Sequence, residues 1–354
     1  MGARAAGPAV YVVSVLVLVL ALGGGWWAAA LRPDTRPPLT SALDVLPVRT
    51  NVVGFTDWSQ IRRALDLGTV DTAAERDELE GTSATRDLST RSVVGRTVEE
   101  MHDVLGWSPA DIEWESYGQD PAGAADVVRL DGSISFDTLR DKLRAAGYSQ
   151  DGETWSVSKR TVLPDITKFI ALVPRQRLVV MSDQEFRVPE VLDVVHGRAR
   201  SLASTHAAAG TAQALAGSDN VLMQGGVLGC ESTAVTGGER VEQARAAVER
   251  AGSLEQYRFS GRGLVDHGGT GFAAQQVVFA MAFDSAAEAA EQARVRARLS
   301  RGPFIGRIGP TSETLRLQSA VADEATVRLA FAHDPDTDVF MTGTGPVLFA
   351  TCSA

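Results

Sequence analysis

The chain has 354 residues and a formal net charge of −10, with 44% hydrophobic and 22% charged residues. That composition excludes disorder of the whole chain and provides a real core for one large or two ordinary domains. Arg4 is the only charged residue among the first 31, so the remainder sets 44 acidic against 33 basic residues, a balance that excludes a nucleic-acid partner by bulk electrostatics.

Residues 10–31 carry no charge, and Trp26 and Trp27 lie near their far end. Twenty-two residues in a helix span about 33 Å, enough for a bilayer core of ~30 Å, and tryptophans collect at membrane interfaces. The segment 1–31 therefore reads as a signal-anchor, with membrane contact through residues 10–31 and a single pass through the cell membrane. The alternative is a signal peptide cleaved near Ala30, in the A-x-A sequence Ala28-Ala29-Ala30. The apolar run exceeds a usual signal core of roughly 7–15 residues, which favours retention. Arg4 and the amino terminus place the N-terminal side inside, and the body is expected to be extracytoplasmic.

Pro33, Pro37 and Pro38 follow, so residues 32–50 read as a proline-rich stalk and linker, with the fold starting near Ala42. Residues 51–56 pattern as a strand, and Asp57 caps a helix with Ile61, Ala64 and Leu65 inward. Residues 68–92 are polar and read as an exposed helix or a loop, the best candidate segment for contact with a partner. A helix opens at Thr97, and residues 126–130 form a strand. Ser135 then caps a helix with Phe136, Leu139 and Leu143 on one face. Trp155 and Val157 alternate as on a strand, and residues 169–173 and 177–181 make a hairpin around Pro174.

The second half uses the same grammar. A strand starts at Asn220, a helix spans 239–250, and residues 276–283 form a strong strand. Ser285 and Glu288 make a capping box, and residues 315–317 and 326–331 make a last hairpin. Val127-Val128 before Phe136-Asp137 matches Val277-Val278 before Phe283-Asp284, which suggests a duplicated unit. The expected fold is α+β, a mixed sheet with helices on one face in two similar halves, 51–200 and 201–354.

Cys230 and Cys352 are the only cysteines, and an exported chain permits one disulfide between them. Such a bridge is worth about 5 kcal/mol by chain entropy. The alternative is two buried thiols. Ser156-x-x-Lys159 with Ser218-Asp219-Asn220 echoes the serine β-lactamase pattern, but no K-T-G follows, and Ser156 sits on strand-like sequence where the nucleophile must open a helix. Asp334, Asp336 and Asp338 alternate as in a Ca²⁺ loop, but Val339 and Gly345 stand where an EF-hand has its glycine and glutamate. The five histidines form no ligand pair. Trp58, Trp107, Trp114 and Trp155 could line a groove, but packing is the simpler reading. No catalytic, cofactor or metal residue is assigned.

An apolar N-terminal segment, a proline-rich stalk, Ala42-Leu43 leading to Pro47, Asp57-Trp58 opening a helix, Leu143 with Gly147-Tyr148, and a cysteine near the end together resemble actinobacterial membrane-anchored or secreted proteins of unknown function. The resemblance implies export and carries no activity. The function expected from sequence is a non-enzymatic binding module of the cell envelope, meeting another envelope protein. The alternatives are a hydrolase with a spatially assembled site or a small-molecule or metal sensor.

Overall fold

A computed structural model describes residues 36–159, 161–305, 309–337 and 345–353. The apolar segment 10–31 lies outside them, and no helix among the described residues is long and apolar enough to cross a membrane.

Chain order begins with α1 (Pro38–Leu43), β1 (Val52–Thr56), α2 (Trp58–Ala64), α3 (Ala73–Thr85) and α4 (Val98–Leu105). Then come β2 (Ile112–Asp120), β3 (Gly123–Leu130), α5 (Phe136–Ala145), β4 (Ser149–Asp151), β5 (Thr154–Ser156), β6 (Phe169–Val173), β7 (Leu178–Ser182) and α6 (Arg187–Val195). The second half holds α7 (His206–Ala214), β8 (Asn220–Gly225), α8 (Gly226–Thr233), α9 (Gly238–Ala251), β9 (Phe259–Asp266) and β10 (Gln275–Ala282). It closes with α10 (Ala286–Leu299), α11 (Thr311–Thr314), β11 (Leu315–Asp323) and β12 (Thr326–His333).

The caps read from sequence form. Asp57 accepts from the Gln60 amide at 2.8 Å, Ser135 from Thr138 at 3.5 Å and Ser285 from Glu288 at 3.2 Å. All strands join one twelve-stranded sheet in the order β11-β12-β10-β9-β8-β1-β2-β3-β7-β6-β5-β4. Every pairing is antiparallel, so the expected mixed sheet is corrected to an antiparallel one. Hairpins join neighbours directly, and the helical crossover from β10 to β11 leaves β12 inserted between those two parallel strands, as β7 is between β3 and β6, so no parallel strands are neighbours.

Helices cover both faces, which corrects the one-face expectation. The first face buries Trp58 and Ile61 of α2, Leu139 of α5 and Val295 of α10 over Val128, Phe279 and Phe331. The second buries Leu39 and Leu43 of α1, Val188 and Val191 of α6 and Ala212 of α7 over Val53, Val127 and Val221. Strands that alternate apolar residues onto both faces need two covering layers. The supposed stalk is part of this core from Pro38 onward, because Leu39, Ala42, Leu43 and Leu46 are all buried. Residues 68–92 are likewise docked. Leu79 and Leu88 are buried and Arg76 pairs with Glu99, so the polar sequence conceals an inner face.

Glu115 of β2 ties the α2 side of the first face together. Its fully buried carboxyl accepts from Trp58 Nε1 at 2.9 Å, Ser92 Oγ at 2.5 Å and the Val93 amide at 2.6 Å. The segment it holds crosses β1 where a Cβ on Gly54 would meet the Arg91 carbonyl at 2.9 Å, so glycine lets the loop descend. Glu115→Ala leaves the buried Trp58 indole N–H and the half-buried Ser92 and Val93 donors without their acceptor, and a buried orphan costs about 1–3 kcal/mol. The variant is expected to lose about 3 kcal/mol or more in urea unfolding; an unchanged midpoint would show that the carboxylate holds nothing.

Candidate functional site

The order β8-β9-β10-β12-β11 in the second half mirrors β1-β2-β3-β7-β6 in the first. In the first half the chain leaves β7, turns into α6 and packs that helix on β7, β3 and β6. After β12 the chain goes elsewhere. Val347 and Phe349 are buried on the first face, where the Phe349 ring lies 5.1 Å from Phe279 and 5.0 Å from Phe331. Cys352 is bonded to Cys230 of α8, with Cα atoms 5.2 Å apart. The disulfide thus fixes the tail on one face, and among the described residues no helix after β12 packs on the second face, where α7 covers β9, β10 and β12 and leaves the β11 edge open.

A groove of about 500 Å³ occupies that place, between α7 and the β11–β12 hairpin. Gly210, Gln213 and Ala214 form the helix wall, and Val321, Asp323, Glu324, Thr326 and Arg328 form the hairpin wall. A Cβ on Gly210 would approach Thr326 Oγ1 to 2.8 Å, so glycine sets how closely helix and hairpin meet. Arg328 closes the back, its Nε donating to the Ala214 carbonyl at 3.1 Å. Burial pushes this guanidinium below its ordinary pKa. The Phe283 amide donates to Ala325 at 2.8 Å and anchors the hairpin loop. Val321 is 52% exposed at the rim, beside the exposed acids Asp323 and Glu324. The groove therefore offers an aliphatic contact, an acidic lip and a half-buried cation, a combination suited to binding.

The most perturbed ionisable groups lie elsewhere, under the middle of the sheet. Asp219 is fully buried at the start of β8; its Oδ2 accepts from the Asp266 amide at 2.6 Å. Burial, with Asp57 and Asp266 close by, pushes its pKa up to about 7. Asp266 is held by Arg86 through contacts of 2.6 and 2.9 Å. A pKa near neutrality suits proton transfer, but no reactant reaches a carboxyl without solvent exposure. Asp219 instead joins β8 to β9. Asp126 on β3 is also fully buried, and neither carboxylate oxygen meets a donor. Burial and then Glu115 hold its pKa well above the usual range. Nothing in the surroundings accounts for an acid at that position.

The sequence candidates disperse. Ser156 is on β5 and Ser218 precedes β8, six strand spacings away. At about 4.8 Å each the separation is roughly 29 Å, so the two halves of the β-lactamase echo never meet. Asp334 accepts from the Asp336 amide in a tight turn, and Asp338 lies outside the described residues. Among the described residues no group of three His, Cys, Asp or Glu side chains gathers to hold a metal. Trp58, Trp107, Trp114 and Trp155 are all buried as packing. Sequence reasoning did not find the groove because it depends on which helix packs beside which strand; the traces visible in sequence are Gly210 in an alanine-rich helix and Val321 between two alanines.

No protein-family model and no curated protein matches the chain. Among solved structures, the crystal form I structure of TP0453 is similar at 7% identity over 85% of this chain and 94% of that one, with a TM-score of 0.37, too loose a likeness to bear on fold or function.

The Asp219 carboxyl sets a pH dependence. Below about pH 4 it is protonated in both folded and unfolded chains, so it imposes no penalty. As pH rises to about 7 the unfolded chain ionises it while the folded chain does not, and stability falls by at most about 4 kcal/mol. Asp219→Asn keeps an acceptor for the Asp266 amide and removes this loss. Its stability advantage in urea is expected to grow from pH 5 to pH 7 and then level off. A constant difference across that range would contradict the assignment.

Proposed function

We propose that this chain is a membrane-tethered, non-enzymatic binding module of the cell envelope, and that its contact site is the groove between α7 and the β11–β12 hairpin. One observation carries the reading: in the second half α7 packs on β9, β10 and β12 and leaves a groove of about 500 Å³ at the β11 edge, whereas α6 in the first half reaches the corresponding strand β6. That volume falls within the range of small-ligand and peptide-anchor pockets. The uncharged segment 10–31 supports a tether, and the Cys230–Cys352 bridge is compatible with an oxidising, extracytoplasmic compartment. The occupant that fits is a short segment of another envelope protein, with an aliphatic side chain against Val321 and a cationic group toward Asp323 and Glu324.

Photocrosslinking in the native envelope tests this. A photoreactive residue at Gln213 of the full chain is expected to capture one reproducible protein other than the chain itself. Val321→Asp should abolish the capture, and the same probe at Val162, 71% exposed and outside the groove, should give none. Equal capture at both positions, or none at Gln213, would overturn the proposal.

A further inference from the structure

Two strands end the sheet, and they differ. β4 has three residues, all exposed, and its brevity limits what can add to it. β11 has nine and among the described residues pairs only with β12. Natural edges are commonly blunted by lysine or proline. β11 contains neither, and the stretch after its bulge includes Ala320-Val321-Ala322. One bulge occurs between Leu317 and Ser319. Arg316 and Asp323 stand near opposite ends, both exposed.

Register with β12 assigns the faces. Arg316, Ser319, Val321 and Asp323 pair with Ala332, Ala330, Arg328 and Thr326. They share the second face, whereas Leu317, Ala320 and Ala322 point to the first.

We propose that β11 is a self-association edge, pairing antiparallel with β11 of a second copy about a two-fold axis at Ala320. With the bulged Gln318 set aside, Arg316 of one copy faces Asp323 of the other, Leu317 faces Ala322, Ser319 faces Val321, and Ala320 faces its counterpart. Each pair joins residues of the same face, as period-two alternation demands. The symmetry places an Arg–Asp pair at each end of the interface. Moving the register by two residues keeps the faces but removes both charge pairs, so charge selects this alignment. Arg316 is already held at the edge, its guanidinium 3.5 Å from the Phe272 ring centroid. The inference stands on the strand edge; Asp323 and Val321 also line the groove, so the test reads self-association of the chain alone, with no groove occupant present. Its consequence is that two grooves lie on one face, either side of the axis.

The test uses the full chain in nanodiscs, with self-association followed by sedimentation. The parent is expected to dimerise. Arg316→Asp and Asp323→Arg should each weaken the dimer about tenfold or more, by setting like charges opposite one another at both ends. The double swap should restore it. A second readout is intermolecular dipolar broadening from a nitroxide at Gln318, expected to be strong, against none from a nitroxide at Val162. A monomeric parent, a dimer indifferent to the single swaps, or equal spectra from both labels would overturn the proposal.

Discussion

The antiparallel pairing of β1 with β8 is the constraint on which the rest depends. Five residue pairs, from Val52 with Gln224 to Thr56 with Asn220, join seven strands of one half to five of the other. Polar bonds fix the register at one end of this seam. The Asp57 amide donates to the Asp219 carbonyl at 2.7 Å, and Asn220 Nδ2 donates to the Asp87 carbonyl at 2.5 Å. A slip of one residue would turn Val53 and Phe55 out of their core and break both contacts. α1 and α7, which precede the two seam strands, also touch, so the halves share packing as well as a ladder.

From that near-symmetric centre the halves diverge. The first spends its exit from β7 on a covering helix. The second sends its tail to the opposite face, where aromatic packing and the disulfide hold it. The groove adjoins the edge of β11, which among the described residues pairs only with β12. Groove and edge thus lie side by side at the end of the sheet where, among the described residues, the chain after β12 adds no helix to the second face.

Local features were legible in the sequence because their causes are local. The caps at Asp57, Ser135 and Ser285, the Pro174 hairpin and the strands around Phe55 and Phe279 follow from short-range chemistry and alternation. The sheet's antiparallel order, the two covered faces and the burial of Pro38 onward were not legible, since they depend on which strand meets which. Residues 68–92 misled because Leu79 and Leu88 are sparse among polar neighbours, yet each finds the core. The groove was invisible for a related reason: Val321 and Gly210 lie far apart in sequence and acquire meaning only when α7 crosses the hairpin.

Hydrogen exchange resolved to single amides tests the central seam most directly. If β1 and β8 join the halves into one body, amides paired between them, such as those of Phe55 and Val221, exchange only through global unfolding, at the slowest rates in the protein. If β8 through β12 instead open as a unit while β1 through β7 stay protected, the halves are separate bodies in contact, and this account of the seam is wrong.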